Sequence, residues 1–242
     1  MGEEIGKIFQ FQTRYQREIY SQGYLEWQQK IDRLKSQLAD KTIKLPQPEV
    51  KDGLPVFQVI NSRRSRREFG RKPVPLGFVS QVIWAASGIS FRKDGFFLKT
   101  APSAGALYPV ETYLSAQLVD GLEAGLYHYQ AENHSLQMKY AGHFGQVLAS
   151  SALNQDFLAE AGFILLFTAV FSRASWKYGD RSFRYIYLDA GHAAQNAALA
   201  AVSCGLASCP VAAFFDDEIN YILDLNPARE GILYLMAFGF PA

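Results

Sequence analysis

The sequence predicts an α+β domain, a mixed or antiparallel sheet flanked by helices. Three observations carry that expectation. Helical and strand patterns interleave along the chain. Two strand patterns are separated by so short a turn that they form a hairpin. One alanine-rich helical stretch, RYIYLDAGHAAQNAALAAVSCG, runs unbroken to Gly205.

The elements follow in order. Residues 1 to about 40 place Ile5, Ile8, Tyr15, Ile19, Trp27, Ile31, Leu34 and Leu38 among charged and amide residues, the pattern of one or two amphipathic helices packed on their own domain or on a second subunit. TIKLPQPEVKDGLPVF is too rich in proline to be helical throughout. The chain thus divides into a helical amino-terminal arm with a connector, 1–54, and a main domain, 55–242. KPVPLGFVSQVIWAASGIS is a proline-punctuated entry to a helix bearing Phe78, Val82, Ile83 and Ala86 on one side and ending near Gly88. ETYLSAQLV and GLYHYQAENHSLQMKY are strands, the second a hairpin turning at Ala131 to His134, and FGQVLASSAL is helical. GFILLFTAVF suits a central strand buried on both faces. After the long helix come CPVAAF, a short helix from Asp216 to Leu223, and GILYLMAFG.

Composition limits the function. With 242 residues, 49% of them hydrophobic, the chain can bury a large core, and a net charge of +1 supplies no whole-surface field for nucleic acid or an acidic membrane. Cys204 and Cys209 are too few for a disulfide scaffold and lack zinc-site spacing, so they read as reduced thiols, and no metal site is expected. The start MGEEIGKIFQ lacks a secretory pattern and no segment is apolar enough to span a bilayer, so a soluble cytoplasmic protein is expected.

Against that neutral background, SRRSRREF crowds Arg63, Arg64, Arg66 and Arg67 around Ser65. Four permanent cations repel one another unless counter-charges or solvent separate them. Surface carboxylates, a nucleic acid or a phosphate could each serve. No second basic stretch with interleaved aromatics supports nucleic acid, and neither a Walker loop nor GxGxxG is present. TAPSAGALYPVETY gathers Pro102, Ser103, Ala104, Gly105 and Ala106 in a small-residue loop that lets backbone approach a flat ligand. In CGLASCPVAAF a short loop could present backbone N–H groups to a ring edge, although Pro210 has no donor. His192, Gln195 and Asn196 share one face of the long helix, whose alanines permit close packing, as at a subunit seam.

SRRSRREF, APSAGALYPVE, GLYHY, KYGDRSFRYIYLDAGHAAQN, GLASCPVAAF and the closing YLMAFGFP, in this order, resemble the SagB-type dehydrogenases, FMN-dependent oxidases of the nitroreductase superfamily, over roughly residues 55–242. The resemblance implies a nitroreductase-like fold and an FMN-bound homodimer, with the long central helix at the dimer interface and two active sites built there from both chains. It makes Arg63, Arg64, Ser65 and Arg67 the first FMN-binding segment, Arg63 on the phosphate and Arg67 toward the pyrimidine edge, with no flavin role for Arg66. Pro102, Ser103, Ala104 and Gly105 resemble the loop laid against the partner's flavin. Cys209, Pro210, Val211 and Ala212 resemble the segment beside N5, with Cys209 a neighbour of the ring rather than a nucleophile. Many nitroreductases carry a further basic phosphate ligand after the last strand, where this sequence reads Gly239, Phe240, Pro241, Ala242; the arginine cluster must then bear more of the phosphate, with Arg181 and Arg184 as candidate helpers.

The resemblance also makes Lys177 and Tyr178 the catalytic pair. Oxidising an azoline to an azole removes hydride from one ring carbon and a proton from its neighbour, so a positioned base is needed. The expected substrate is a small molecule or a modified peptide. Two other functions fit the same motifs: an NAD(P)H-dependent nitroreductase or quinone reductase, and a non-catalytic flavin-binding subunit of a larger assembly.

Overall fold

In the computed structural model, which describes residues 5–17 and 22–242, seven strands form one antiparallel sheet with helices on both faces. In chain order the elements are α1 (Ile5–Gln12), α2 (Gln22–Lys35), β1 (Leu38–Lys44), α3 (Val56–Ser62), β2 (Val74–Pro75), α4 (Leu76–Ser87), β3 (Ile89–Lys93) and β4 (Phe96–Lys99). Then follow β5 (Val110–Ala116), β6 (Val119–Asp120), β7 (Gly125–Gln130), β8 (Ser135–Ala141), α5 (Gly145–Ser151), α6 (Phe157–Glu160) and β9 (Phe163–Val170). The chain continues through α7 (Ser172–Tyr178), α8 (Arg181–Ser203), β10 (Ala207–Val211), α9 (Asp216–Leu223) and β11 (Glu230–Gly239). The main sheet runs β1-β8-β7-β5-β9-β11-β10, and every neighbouring pair in it is antiparallel.

The run FILLFTAV is β9, and its two-residue period divides it between two cores. Phe163, Leu165 and Phe167 face one core, with α4 and the alanines of α8. Ile164 and Leu166 face the other, with Trp27 and Ile31 of α2, Leu148 of α5, and Ile219 and Ile222 of α9. Each fully buried side chain of this size contributes about 1.5–3 kcal/mol, and this strand, bonded on both edges, anchors the sheet. The hairpin turns at residues 131–134 as the sequence predicts. Helix α9 opens with Asp216, Asp217 and Glu218, whose charges suit a helix amino terminus.

Two expectations change. The apolar pattern carried helix as far as Leu38 and placed the connector from Thr42, yet 38–44 is strand β1, pairing from Leu38 with Tyr140 to Lys44 with Ser135. Ladder bonds to β8 outweigh a helical pattern whose last member, Leu38, stays 80% exposed. The alanine face of α8, expected at a subunit seam, lies inside the chain: Ala190, Ala193, Ala194, Ala197 and Ala201 pack with Val79, Ile83 and Ala86 of α4. Small side chains there let two helices approach closely. The outer face of α8 leaves Leu188, His192 and Gln195 exposed.

The described part of the arm is fastened to the domain. Arg14 pairs with Asp217, Arg17 Nε lies 2.7 Å from Glu218 Oε1, and Trp27 Nε1 donates to Ser151 Oγ at 2.9 Å. Ile19 of the helical pattern falls outside the described residues. Among the described residues no helix is long and apolar enough to cross a membrane.

Candidate active site

The arginine segment begins where α3 ends. The N–H of Arg63 closes the last turn on Val59 O at 3.0 Å. Arg64 then folds back, its Nη1 donating to the carbonyls of Asn61 and Arg63, each at 2.8 Å, so this guanidinium satisfies the helix carboxyl end. Arg63 is half-buried, while Ser65, Arg66 and Arg67 are exposed. Among the described residues no carboxylate lies within 4.0 Å of Arg63, Arg66 or Arg67. Among the described residues, pairing with surface carboxylates does not relieve their repulsion.

The same segment lies along β10. Ser65 bridges Ser208, and the N–H of Arg66 donates to Ser208 O at 2.9 Å. CPVAAF begins inside an edge strand rather than a loop, with Pro210 opposite Met236, a position that tolerates a missing donor. Cys209 is fully buried; burial pushes its thiol pKa up and the charge of Arg67 partly opposes it. Two of the motifs thus meet: Arg63–Arg67 with Ser208–Ala212.

A second group forms around the small-residue loop. Ser103 Oγ donates to Asp189 Oδ2 at 2.5 Å and accepts from the N–H of Tyr108 at 3.0 Å, and the N–H of Ala104 donates to Asp189 Oδ1 at 3.4 Å. Asp189, 8% exposed on α8, is held above the usual carboxylate range by burial, which the Ser103 and Ala104 bonds oppose. These bonds hold a loop in which Gly105, Ala106 and Tyr108 all take left-handed φ, of 63°, 52° and 46°. The two non-glycine residues cost on the order of 1 kcal/mol or more each.

Gly105 shows what the loop faces. A Cβ on it would stand 2.6 Å from Tyr178 Oη and 2.9 Å from Lys177 Nζ. Both residues occupy the last turn of α7, which stops at Gly179, and Lys177 Nζ sits 5.3 Å over the Tyr178 ring. Arg173, one turn earlier, ties α7 to the loop exit through Glu111 and through Tyr108 O at 3.2 Å.

Within one chain the Ser65–Ser208 contact and the Ser103 loop stand at different heights along α8, although Ala212 at the far end of β10 shares a pocket with Tyr187. Asp189 is twelve residues along α8 from Ala201, which accepts the N–H of Leu206 just ahead of Ser208; at 1.5 Å per residue that is about 18 Å. Arg181 and Arg184 stand at the Lys177 end of α8, not the Arg63 end. His192 and Gln195 are exposed, whereas Asn196 Nδ2 donates to Thr100 O at 3.4 Å. Cys204 and Cys209 are free thiols, and among the described residues no cluster of His, Cys, Asp or Glu could hold a metal. Sequence reasoning missed Asp189, although a single carboxylate among helix alanines was a visible signal. It also missed the network of Glu111, His128 and Arg173, whose members are far apart in the chain.

Comparison with known proteins places the chain in a family. The chain is 39% identical over 198 residues to MJ1384 of Methanocaldococcus jannaschii, whose name also carries the word nitroreductase, covering 82% of this chain and 96% of that one. It is 28% identical over 202 residues to the microcin B17-processing protein McbC of Escherichia coli, covering 76% and 74%. A nitroreductase-type structure from Ralstonia eutropha superposes with a TM-score of 0.73 at 28% identity, covering 84% and 90%. Another, an FMN complex from Desulfovibrio desulfuricans, shares the fold with a TM-score of 0.55 at 20% identity, covering 79% and 88%. The sequence pattern of the Nitroreductase family matches residues 60–240, and the chain belongs to that family.

Proposed function

We propose that the protein is an FMN-dependent oxidoreductase of the SagB type, which oxidises an azoline or a related small heterocycle, free or in a modified peptide. One observation carries this reading beyond the family: Lys177 and Tyr178 lie against Gly105, so the motifs that set the dehydrogenases apart share one surface. The similarity to McbC supports it.

The residues fit the cofactor. Arg63 and Arg67 offer fixed positive charge with no carboxylate partner among the described residues, the condition a phosphate dianion satisfies. Arg63 would hold the phosphate with Ser65 adding a hydroxyl, and Arg67, near Cys209, would meet the pyrimidine edge. Bound FMN supplies a two-electron acceptor for hydride from a ring carbon. The proton from the neighbouring carbon would pass to Lys177 Nζ as the free amine or to Tyr178 Oη as the phenolate, both of which the missing side chain of Gly105 leaves open to the loop.

Because about 18 Å of α8 lies between Asp189 and the turn that leads into Ser208, which Ser65 bridges, we assign each site to two copies of the chain. One copy gives Arg63–Arg67 and Cys209–Ala212; the other gives Pro102–Gly105, Lys177 and Tyr178. Val56, Phe57 and Ile60 of α3, Trp176 of α7 and Leu188 of α8 are large apolar side chains left exposed, 82% for Phe57, and a second copy would cover such a surface. In that arrangement Arg181 and Arg184 reach a phosphate only across copies.

The identity to MJ1384 favours a second reading, an NAD(P)H-dependent nitroreductase. Anaerobic NADPH separates the two. Slow or no bleaching of the bound flavin, with azoline oxidation that Lys177→Ala abolishes while flavin is retained, supports the dehydrogenase. Rapid bleaching, or full turnover in Lys177→Ala, removes it.

A further inference from the structure

A cavity of about 360 Å³ opens at the exit of the loop, lined by residues of β4, β5, β7 and α7, none of which belongs to the flavin-binding set. Its charges can be accounted for one at a time. Gln130 Nε2 lies 2.9 Å from His128 Nδ1. His128 Nε2 donates to Glu111 Oε2 at 3.0 Å, while Arg173 bonds the other oxygen. Burial alone would raise the Glu111 pKa, but His128 and Arg173 together bring it down to about 2, so its charge is already matched by Arg173.

Lys99 is the cation left over. It lines the cavity, burial lowers its pKa, and among the described residues no carboxylate lies within 4.0 Å of its ammonium, which sits 5.5 Å over the Tyr108 ring. Glu132 also borders the cavity but is exposed. Beside Lys99, Phe97 and Tyr108 stack at 5.7 Å with their planes 21° apart and present a flat apolar wall. One ammonium that Glu111 and Glu132 act on only from beyond contact distance, next to that wall, selects one negative charge on a flat apolar body. A phosphate dianion would bring a second charge with no cation to meet it. The volume lies at the low end for small-molecule sites.

We propose that this cavity binds a small monocarboxylate with a flat apolar body, its carboxylate on Lys99 Nζ and its body along Tyr108 and Phe97. The site is independent of the flavin assignment, which stands or falls on other residues.

The test is calorimetric titration of the full chain as purified with hippurate and phenylacetate, alongside their uncharged amides. At least one acid should bind, with its amide at least tenfold weaker; Lys99→Met should lose at least tenfold of that affinity, and Lys99→Arg should stay within threefold. Circular dichroism of each variant confirms folding. Equal binding of acid and amide, unchanged binding in Lys99→Met, or equally effective displacement by inorganic phosphate would overturn the proposal. So would binding that emerges only in Glu132→Gln, because Lys99 would then already have its partner.

Discussion

Glu111 offers a prediction whose size follows from the geometry. Its carboxylate is 16% exposed and accepts from His128 on one oxygen and Arg173 on the other. Burial opposes its charge, the two partners prevail, and the pKa falls from the ordinary 4.5 to about 2. A folded-state pKa below the unfolded one stabilises the fold above pH 4.5, and the contribution is lost as pH falls through the window toward 2. That difference corresponds to ~3 kcal/mol. Because the Arg173 side chain is 43% exposed, solvent screening brings the expected value nearer ~2 kcal/mol. In Glu111→Gln the acid limb goes: urea unfolding at pH 7 should show the variant ~2 kcal/mol less stable, and at pH 3 less than half of that gap should remain. A loss equal at both pH values, or none at pH 7, would refute the ion-pair account. Arg173 sits one turn before Lys177, so the same variant should also loosen α7 from the loop.

Gly105→Ala should cost about 1–2 kcal/mol, because an alanine in this left-handed conformation is disfavoured while Lys177 Nζ and Tyr178 Oη can yield. Calorimetry should record a melting point lower by about 2–8 °C, and heterocycle oxidation should fall at least tenfold with flavin retained; unaltered turnover would separate this contact from the chemistry. Arg63→Ala should weaken FMN by about 1.5–3 kcal/mol through loss of a charge-assisted bond, read as flavin released on dialysis. Unchanged occupancy would take Arg63 off the phosphate.

Elements whose pattern is local were legible in the sequence. The apolar run of β9, the four-residue turn after β7, and the acidic start of α9 each carry their signal within a few residues. Strand β1 was not legible, since LADKTIK is an edge strand with no fully buried residue and its identity comes from pairing with β8. Helix α7 has seven residues and a single buried one, too few to show a period. The alanines of α8 announced close packing but not the partner, which is α4. At the site, charge crowding around Ser65 was plain in one dimension, whereas Asp189 under the loop and Glu111 between His128 and Arg173 exist as partners only after folding.

Flavin stoichiometry measured together with particle mass tests the central claim most directly. Purified protein equilibrated with FMN and exhaustively dialysed should be yellow, with twice the mass of one chain and one FMN per chain. A colourless protein of single-chain mass that takes up no added FMN would contradict it.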